Sequence, residues 1–207
     1  MSVAKLKEDV QEKEFIKDLY FLARTKKNLG WKHTKFSAKY IQDGINYITL
    51  TKNPYSWLLS LYKKPYHQYY KNFPQTFEEF LQVPWKTVHR DGIGYKVLTS
   101  PVELWNIKNR AYMDVQVKNI LRLKSEMLFE DPQEIIHKIA SSFSITKKEI
   151  FFKNYEQSTK NSSLTFKDYQ TYYLQERWKE KLSSRAIEII NASLDRELMS
   201  IYKYEIL

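Results

Sequence analysis

The chain has 207 residues, no cysteine, 43% hydrophobic residues and a formal net charge of +10. It is long enough to bury a core, contains no apolar run long enough to span a bilayer, and has no thiol for disulfides, thiol catalysis or thiolate metal sites. The charge is uneven, because residues 1–100 hold 17 basic and 9 acidic side chains (+8) and residues 101–207 hold 17 and 15 (+2).

In chain order, Lys5 to Lys27 reads as a charged helix with Phe15, Ile16, Leu19, Tyr20 and Leu22 on its apolar side. It lacks the uninterrupted apolar stretch of a secretory signal, so a cytoplasmic location is expected by default. Asn46 to Thr51 alternates and is β-rich, which predicts a strand ending at Lys52. Asn53 is a good N-cap and Pro54 suits the first helical position, so a helix follows at once. Its free N–H groups and dipole point beyond the carboxyl edge of the strand, which is a cradle for an anion. Ser60 lies nearly two turns after Asn53, with Ser56 between them, and Lys52 stands at the mouth of this cradle. Leu58, Leu59, Leu61 and Tyr62 are left to pack elsewhere.

Thr76 caps a short predicted helix over Phe77 to Leu81, with Glu78 and Glu79 in its first turn. Pro84 to Thr99 is expected to be irregular, and with Gly92 and Gly94 it reads as a plain connector or a mobile substrate loop. Ser100-Pro101-Val102-Glu103 reads as a capping box opening a helix to about Lys118, with Leu104, Ile107, Ala111 and Val115 inward. Trp105, Asn109 and Tyr112 occupy an adjacent stripe. Ile120 to Leu123 is a short buried strand. Asp131-Pro132-Gln133-Glu134 opens a helix through Phe143 with Ile135, Ile136, Ile139, Ala140 and Phe143 inward and His137 on the surface. Asn154 to Ser163 is the most linker-like segment. Thr165 with Asp168 starts a helix through Tyr169, Tyr172, Tyr173 and Trp178. A last helix is predicted from about Ser184 to Tyr202, with Ile187, Ile190, Leu194, Leu198 and Ile201 inward. Strands interleaved with an excess of helices predict one small α/β domain with a mostly parallel sheet.

Several of these segments carry a resemblance. Lys52-x-Pro54 followed by Ser60 resembles the segment of the sulfotransferase family that holds the 3′-phosphate of 3′-phosphoadenosine 5′-phosphosulfate, with Lys52 where the family usually has Arg. Gly30-Trp31-Lys32-His33 resembles the family's Lys and His segment, in the shorter spacing of a bacterial subset. Glu126 with Asp131-Pro132 resembles the Glu-x-Leu and Asp-Pro region, Trp105 to Tyr112 a Trp and Tyr pattern that faces the ligand cleft, and Asn191 to Tyr204 the closing helix. The resemblance covers roughly residues 30 to 205 and implies a P-loop NTPase-like sulfotransferase fold. It implies His33 as general base with Lys32 as the nearest cation, and Lys52, Ser60 and Asn53 as contacts to 3′-phosphoadenosine 5′-phosphosulfate or adenosine 3′,5′-bisphosphate. Trp105 and Tyr112 are then contacts to a small-molecule or glycan acceptor. The family's Pro-x-Ser-Gly-Thr loop for the 5′-phosphosulfate has no counterpart, because residues 1–29 contain neither glycine nor proline. The expectation is therefore an N-terminally incomplete family member with little or no activity.

Two other classes stay open. One is an inactive anion-binding protein on the same fold. The other is a basic nucleic-acid binder, because between Leu19 and Phe77 ten basic residues stand against Asp43 alone. Tyr55, Trp57, Tyr62, Tyr66, Tyr69 and Tyr70 would be its stacking surfaces. The four histidines, at 33, 67, 89 and 137, have no ligand-like spacing, so no metal is expected.

Overall fold

A computed structural model of the chain describes residues 34–38, 41, 43–65, 74–87, 91–94, 96–146, 152, 154, 156–158 and 162–207. The expected helix over Lys5 to Lys27, the Gly30–His33 segment and the histidines at 67 and 89 lie outside the described residues. Among the described residues are four strands, β1 (Tyr47–Thr51), β2 (Trp85–Lys86), β3 (Val97–Leu98) and β4 (Ile120–Lys124). The helices are α1 (Pro54–Lys63), α2 (Phe77–Gln82), α3 (Pro101–Asp114), α4 (Met127–Glu130), α5 (Pro132–Ser142), α6 (Phe166–Leu174), α7 (Ser184–Ser193) and α8 (Arg196–Tyr202). A 3-10 turn, Arg177–Lys181, follows α6. The class is α/β with helices in excess.

β1 and β4 pair in parallel, with Tyr47 opposite Ile120 and Thr51 opposite Lys124, while β2 and β3 form a separate two-residue antiparallel ladder. The stretch expected to be irregular therefore contains a small hairpin, anchored by the fully buried Trp85. On β1 the buried face is Tyr47, Thr49 and Thr51, and the apolar Ile48 and Leu50 are each 48% exposed. The polar face turns inward because α3 supplies partners: the Thr51 hydroxyl donates to Asn109 Oδ1.

Caps account for the helix starts. Asn53 Oδ1 accepts from Tyr55 N at 3.1 Å, and Thr76 and Thr165 form complete capping boxes with Glu79 and Asp168. Ser100 caps α3, but Glu103 reaches back to the N–H and hydroxyl of Thr99 rather than to Ser100. α3 stops at Asp114, short of Lys118, because Arg122 of β4 takes its last carbonyls: Nε donates to Tyr112 O at 2.7 Å and Nη2 to Val115 O at 2.9 Å. The continuous helix expected over Ser184 to Tyr202 is two helices. Asp195 caps α8 through Leu198 N at 3.1 Å and pairs with Arg110, while Asn106 takes Asp195 N and donates to Ser193 O, so both sides of the break are held. Ile201, expected inward, is 41% exposed, and Ile136 of α5 is also exposed. His137 lies on the surface as expected.

The core gathers Tyr55, Leu58, Leu59 and Leu61 of α1 with Phe80, Leu81, Trp85, Leu104, Trp105, Trp178, Ile190 and Leu198. Tyr55 stacks on Trp178 at 6.0 Å, and its hydroxyl binds Asn191 Oδ1 and accepts from Leu207 N, which ties the C-terminal residue to α1. α1, which leaves the carboxyl end of β1, packs on both α3 and the 3-10 turn.

Candidate functional site

β1 and β4 end side by side, with Ser125 N donating to Thr51 O at 2.7 Å. Just beyond, the backbone of Lys52 and Asn53 is held from two sides. The indole N–H of Trp105 donates to Lys52 O at 3.0 Å, and Asn53 N donates to Glu126 Oε1 at 3.0 Å. Glu126 Oε2 accepts from the Tyr204 hydroxyl at 2.9 Å. Burial, then the Glu126 charge and hydrogen bond, push the Tyr204 phenol far above its ordinary range, so it stays a neutral donor.

With its main chain fixed, Lys52 sends its side chain across the first two turns of α1. Nζ donates to Ser60 Oγ at 2.9 Å and to the Tyr173 hydroxyl at 3.0 Å, and lies 4.5 Å from the centroid of the Tyr173 ring. Ser60 donates to Ser56 O at 2.9 Å, and Ser56 donates to Asn53 O at 3.1 Å, so the serines line the helix face that the spacing predicted. Burial raises the Tyr173 phenol, a hydrogen bond with Ser60 partly offsets this, and the hydroxyl remains protonated beside the ammonium. Lys52 and Ser60 are thus brought into direct contact. The Lys52 ammonium at the end of the strand suits a phosphate oxygen, while the one Ser60 proton is committed to Ser56 O.

The remaining site residues fall elsewhere. Asn53 is buried and its side chain is spent on capping α1. Pro54 has no N–H, and the N–H groups of Asn53 and Tyr55 are already bonded to Glu126 and Asn53, so the helix start offers less to an anion than its sequence promised. Trp105 is a core residue, 1% exposed, whose contribution is to hold the Lys52 carbonyl. Tyr112 is half-buried near the end of α3, beside Tyr202 and Arg122, and burial raises its phenol. His33 and Lys32 lie outside the described residues. Thr34 is buried against Gly92, and Lys35 N donates to Asp91 O at 2.7 Å. Asp91 is in turn paired with Lys108 of α3 at 2.5 Å, so the stretch read as a possible mobile loop is pinned here by a buried ion pair.

Tyr173 escaped the sequence reading as a site residue, since that reading placed it only on a helix through Tyr169, Tyr172, Tyr173 and Trp178. No residue of α6 is fully buried, which leaves its tyrosines half open to contacts other than packing. Of the aromatics that stacking on nucleic acid would need, Tyr55 is buried and Tyr62 packs on Phe77 and Phe80, while Tyr66, Tyr69 and Tyr70 lie outside the described residues. Among the described residues no group of three His, Asp or Glu is placed to hold a metal ion, and no helix is long and apolar enough to cross a membrane. Compared with protein-family models, curated proteins and solved structures, the chain finds no match.

Proposed function

We propose that the chain is a sulfotransferase-type domain whose Lys52 and Ser60 bind the 3′-phosphate of 3′-phosphoadenosine 5′-phosphosulfate or of its desulfated form, adenosine 3′,5′-bisphosphate. One observation carries this reading: Lys52 Nζ sits 2.9 Å from Ser60 Oγ at the carboxyl edge of a parallel strand pair. Ligands of open α/β sheets bind outside that edge. Trp105 and Glu126 support the contact by fixing the backbone from which Lys52 projects. When bound, the nucleotide supplies a sulfuryl group for a hydroxyl or amine acceptor. His33 is assigned, by the resemblance alone, to accept the acceptor's proton, with Lys32 beside it to offset developing charge. Because residues 1–29 have no glycine for a backbone nest, turnover is expected to be very low, which makes the inactive binding protein the companion reading.

Isothermal calorimetry with adenosine 3′,5′-bisphosphate tests the binding. Lys52→Ala should weaken it by about tenfold or more, the loss of one charge-assisted contact, and Ser60→Ala by less. Parent-like affinity in both variants would remove the cradle. A radiolabelled transfer assay over phenols, alcohols and amines then separates the enzyme from the inactive binder.

A further inference from the structure

We infer that the Lys52–Ser60 cradle is one wall of a three-lysine site completed by Lys63 and Lys181, and that this site takes a phosphomonoester dianion in preference to a monoanion. The inference rests on the nucleotide reading above and extends it to residues that carry no family resemblance.

Two tyrosines organise the lysines. Tyr172 and Tyr173 meet edge to face at 5.0 Å and 82°. Lys52 Nζ lies 4.5 Å over the Tyr173 ring, and Lys181 Nζ lies 4.8 Å over the Tyr172 ring, so two ammonium groups ride on one aromatic pair. Lys63 enters from α1, three residues beyond Ser60 and therefore on the same helix face. Its charge acts on both Tyr173 and Lys181, which puts the Lys63 ammonium in the neighbourhood of the aromatic pair. Burial first, and then the Lys63 charge, press the Lys181 ammonium below its ordinary value. The 3-10 turn bearing Lys181 packs on α1, so the arrangement is built by the fold and is not a chance meeting of long side chains.

The surrounding carboxylates are committed elsewhere. Glu180 pairs with Arg177, Glu176 and Glu205 pair with Lys179, and Glu126 is bonded to Asn53 N and Tyr204. Among the described residues neither Lys63 nor Lys181 forms an ion pair with a carboxylate. Like charges held together by packing are relieved by an anion, and a dianion relieves them more than a monoanion. A terminal phosphomonoester, with its second pKa near 6, is a dianion at neutral pH; a phosphodiester or sulfate ester is a monoanion.

The experiment titrates the full chain at pH 7.5 with adenosine 3′-monophosphate, adenosine 3′,5′-cyclic monophosphate and inorganic phosphate. Lys63→Ala, Lys181→Gln, Lys52→Ala and a Lys179→Ala control are run beside the parent. The 3′-monophosphate should bind about tenfold or more tightly than the cyclic diester, Lys63→Ala and Lys181→Gln should each weaken it by roughly fivefold to tenfold, and Lys179→Ala should leave it unchanged. Both substituted lysines are exposed, and a far-ultraviolet spectrum matching the parent confirms folding. If Lys52→Ala abolishes binding while Lys63→Ala and Lys181→Gln stay within twofold, the three-lysine site is overturned and the cradle stands alone. If the pattern reverses, Lys52 is no part of the site, and the three-lysine site and the nucleotide cradle both fall. Inorganic phosphate binding as tightly as the nucleotide would support the site and overturn the nucleotide reading beneath it. No binding by any of the three ligands, or equal affinity for diester and monoester, overturns the proposal.

Discussion

Glu126 offers the sharpest test of how the site is held together. It immediately precedes α4 but makes no capping bond there; its carboxylate crosses to α1 and to the C-terminal segment, accepting from Asn53 N at 3.0 Å and from Tyr204 at 2.9 Å. A hydrogen bond to a charged acceptor contributes about 1.5–3 kcal/mol, and both bonds here are only partly buried, which favours the lower end. Glu126→Ala strands both donors and should cost about 3 kcal/mol, or a fall in Tm of about 6–12 °C for a chain of this size. Glu126→Gln keeps the amide oxygen for Asn53 N and lets the Tyr204 hydroxyl accept from the new NH2 group, so its cost should be only about 1 kcal/mol. Tyr204→Phe removes one of the same two bonds. Hence the Glu126→Ala/Tyr204→Phe double variant should lose about 1 kcal/mol less than the sum of the singles. Urea unfolding followed by tryptophan fluorescence and by circular dichroism measures all four free energies. A Glu126→Ala cost below about 1 kcal/mol, or strict additivity in the cycle, would refute the idea that this carboxylate couples α1 to the chain end.

Asp195 gives a pH-dependent counterpart. Burial alone would raise its carboxyl, but the Arg110 hydrogen bond and the Leu198 N–H outweigh it and hold the group below the ordinary 3.8. A depressed folded pKa stabilises above the unfolded pKa and is lost as pH falls through the folded value, so the effect should fade below about pH 4. Asp195→Asn retains the cap and loses the Arg110 charge pair, so parent and variant stabilities should differ at pH 6 and converge toward pH 2; a constant gap in urea midpoints would count against it. Gly92 and Gly44 form a matched pair, with φ of +66° and +74°. A Cβ at Gly44 meets nothing within 4 Å, whereas at Gly92 it would lie 2.2 Å from Thr34 Oγ1, so both pay the left-handed backbone cost of about 1–2 kcal/mol but only Gly92→Ala adds a clash. Equal losses in the two alanine variants would show that the 34–36 and 91–92 segments do not pack as described.

What the sequence revealed follows the range of the forces involved. Helix starts were legible at Asn53-Pro54, Thr76, Ser100-Pro101, Asp131-Pro132 and Thr165, because a cap is a bond between neighbours in the chain. The ends of α3 and α7 were not, because their partners are remote: Arg122 closes α3 from β4, and Arg110 with Asn106 supports the break before α8. Alternation on β1 separated two faces but did not say which is inward, and the answer depended on Asn109, 58 residues away from Thr51. The Lys52 to Ser60 contact was legible from spacing along one strand and one helix. Tyr173, 121 residues from Lys52, was not.

Tyr173 also changes what the lysine at position 52 means. A lysine where the resemblance has arginine gives up the planar, bidentate fork and keeps only a compact charge. Here the ammonium is not left to one contact: two hydroxyls, of Ser60 and Tyr173, accept from it, and the Tyr173 ring lies beneath it. Cation–π attraction strengthens as the pair is desolvated, and burial of Tyr173 is what raises its phenol, so the ring that holds the lysine is itself partly shielded from water. An arginine fork could not place one donor on each hydroxyl and keep its plane clear for a bidentate phosphate. Three rotatable N–H donors on a point charge can be re-aimed among several acceptors, a ligand oxygen included. The position therefore trades directional strength for adaptability, and the tyrosines of α6 are the part of the fold that makes the trade workable.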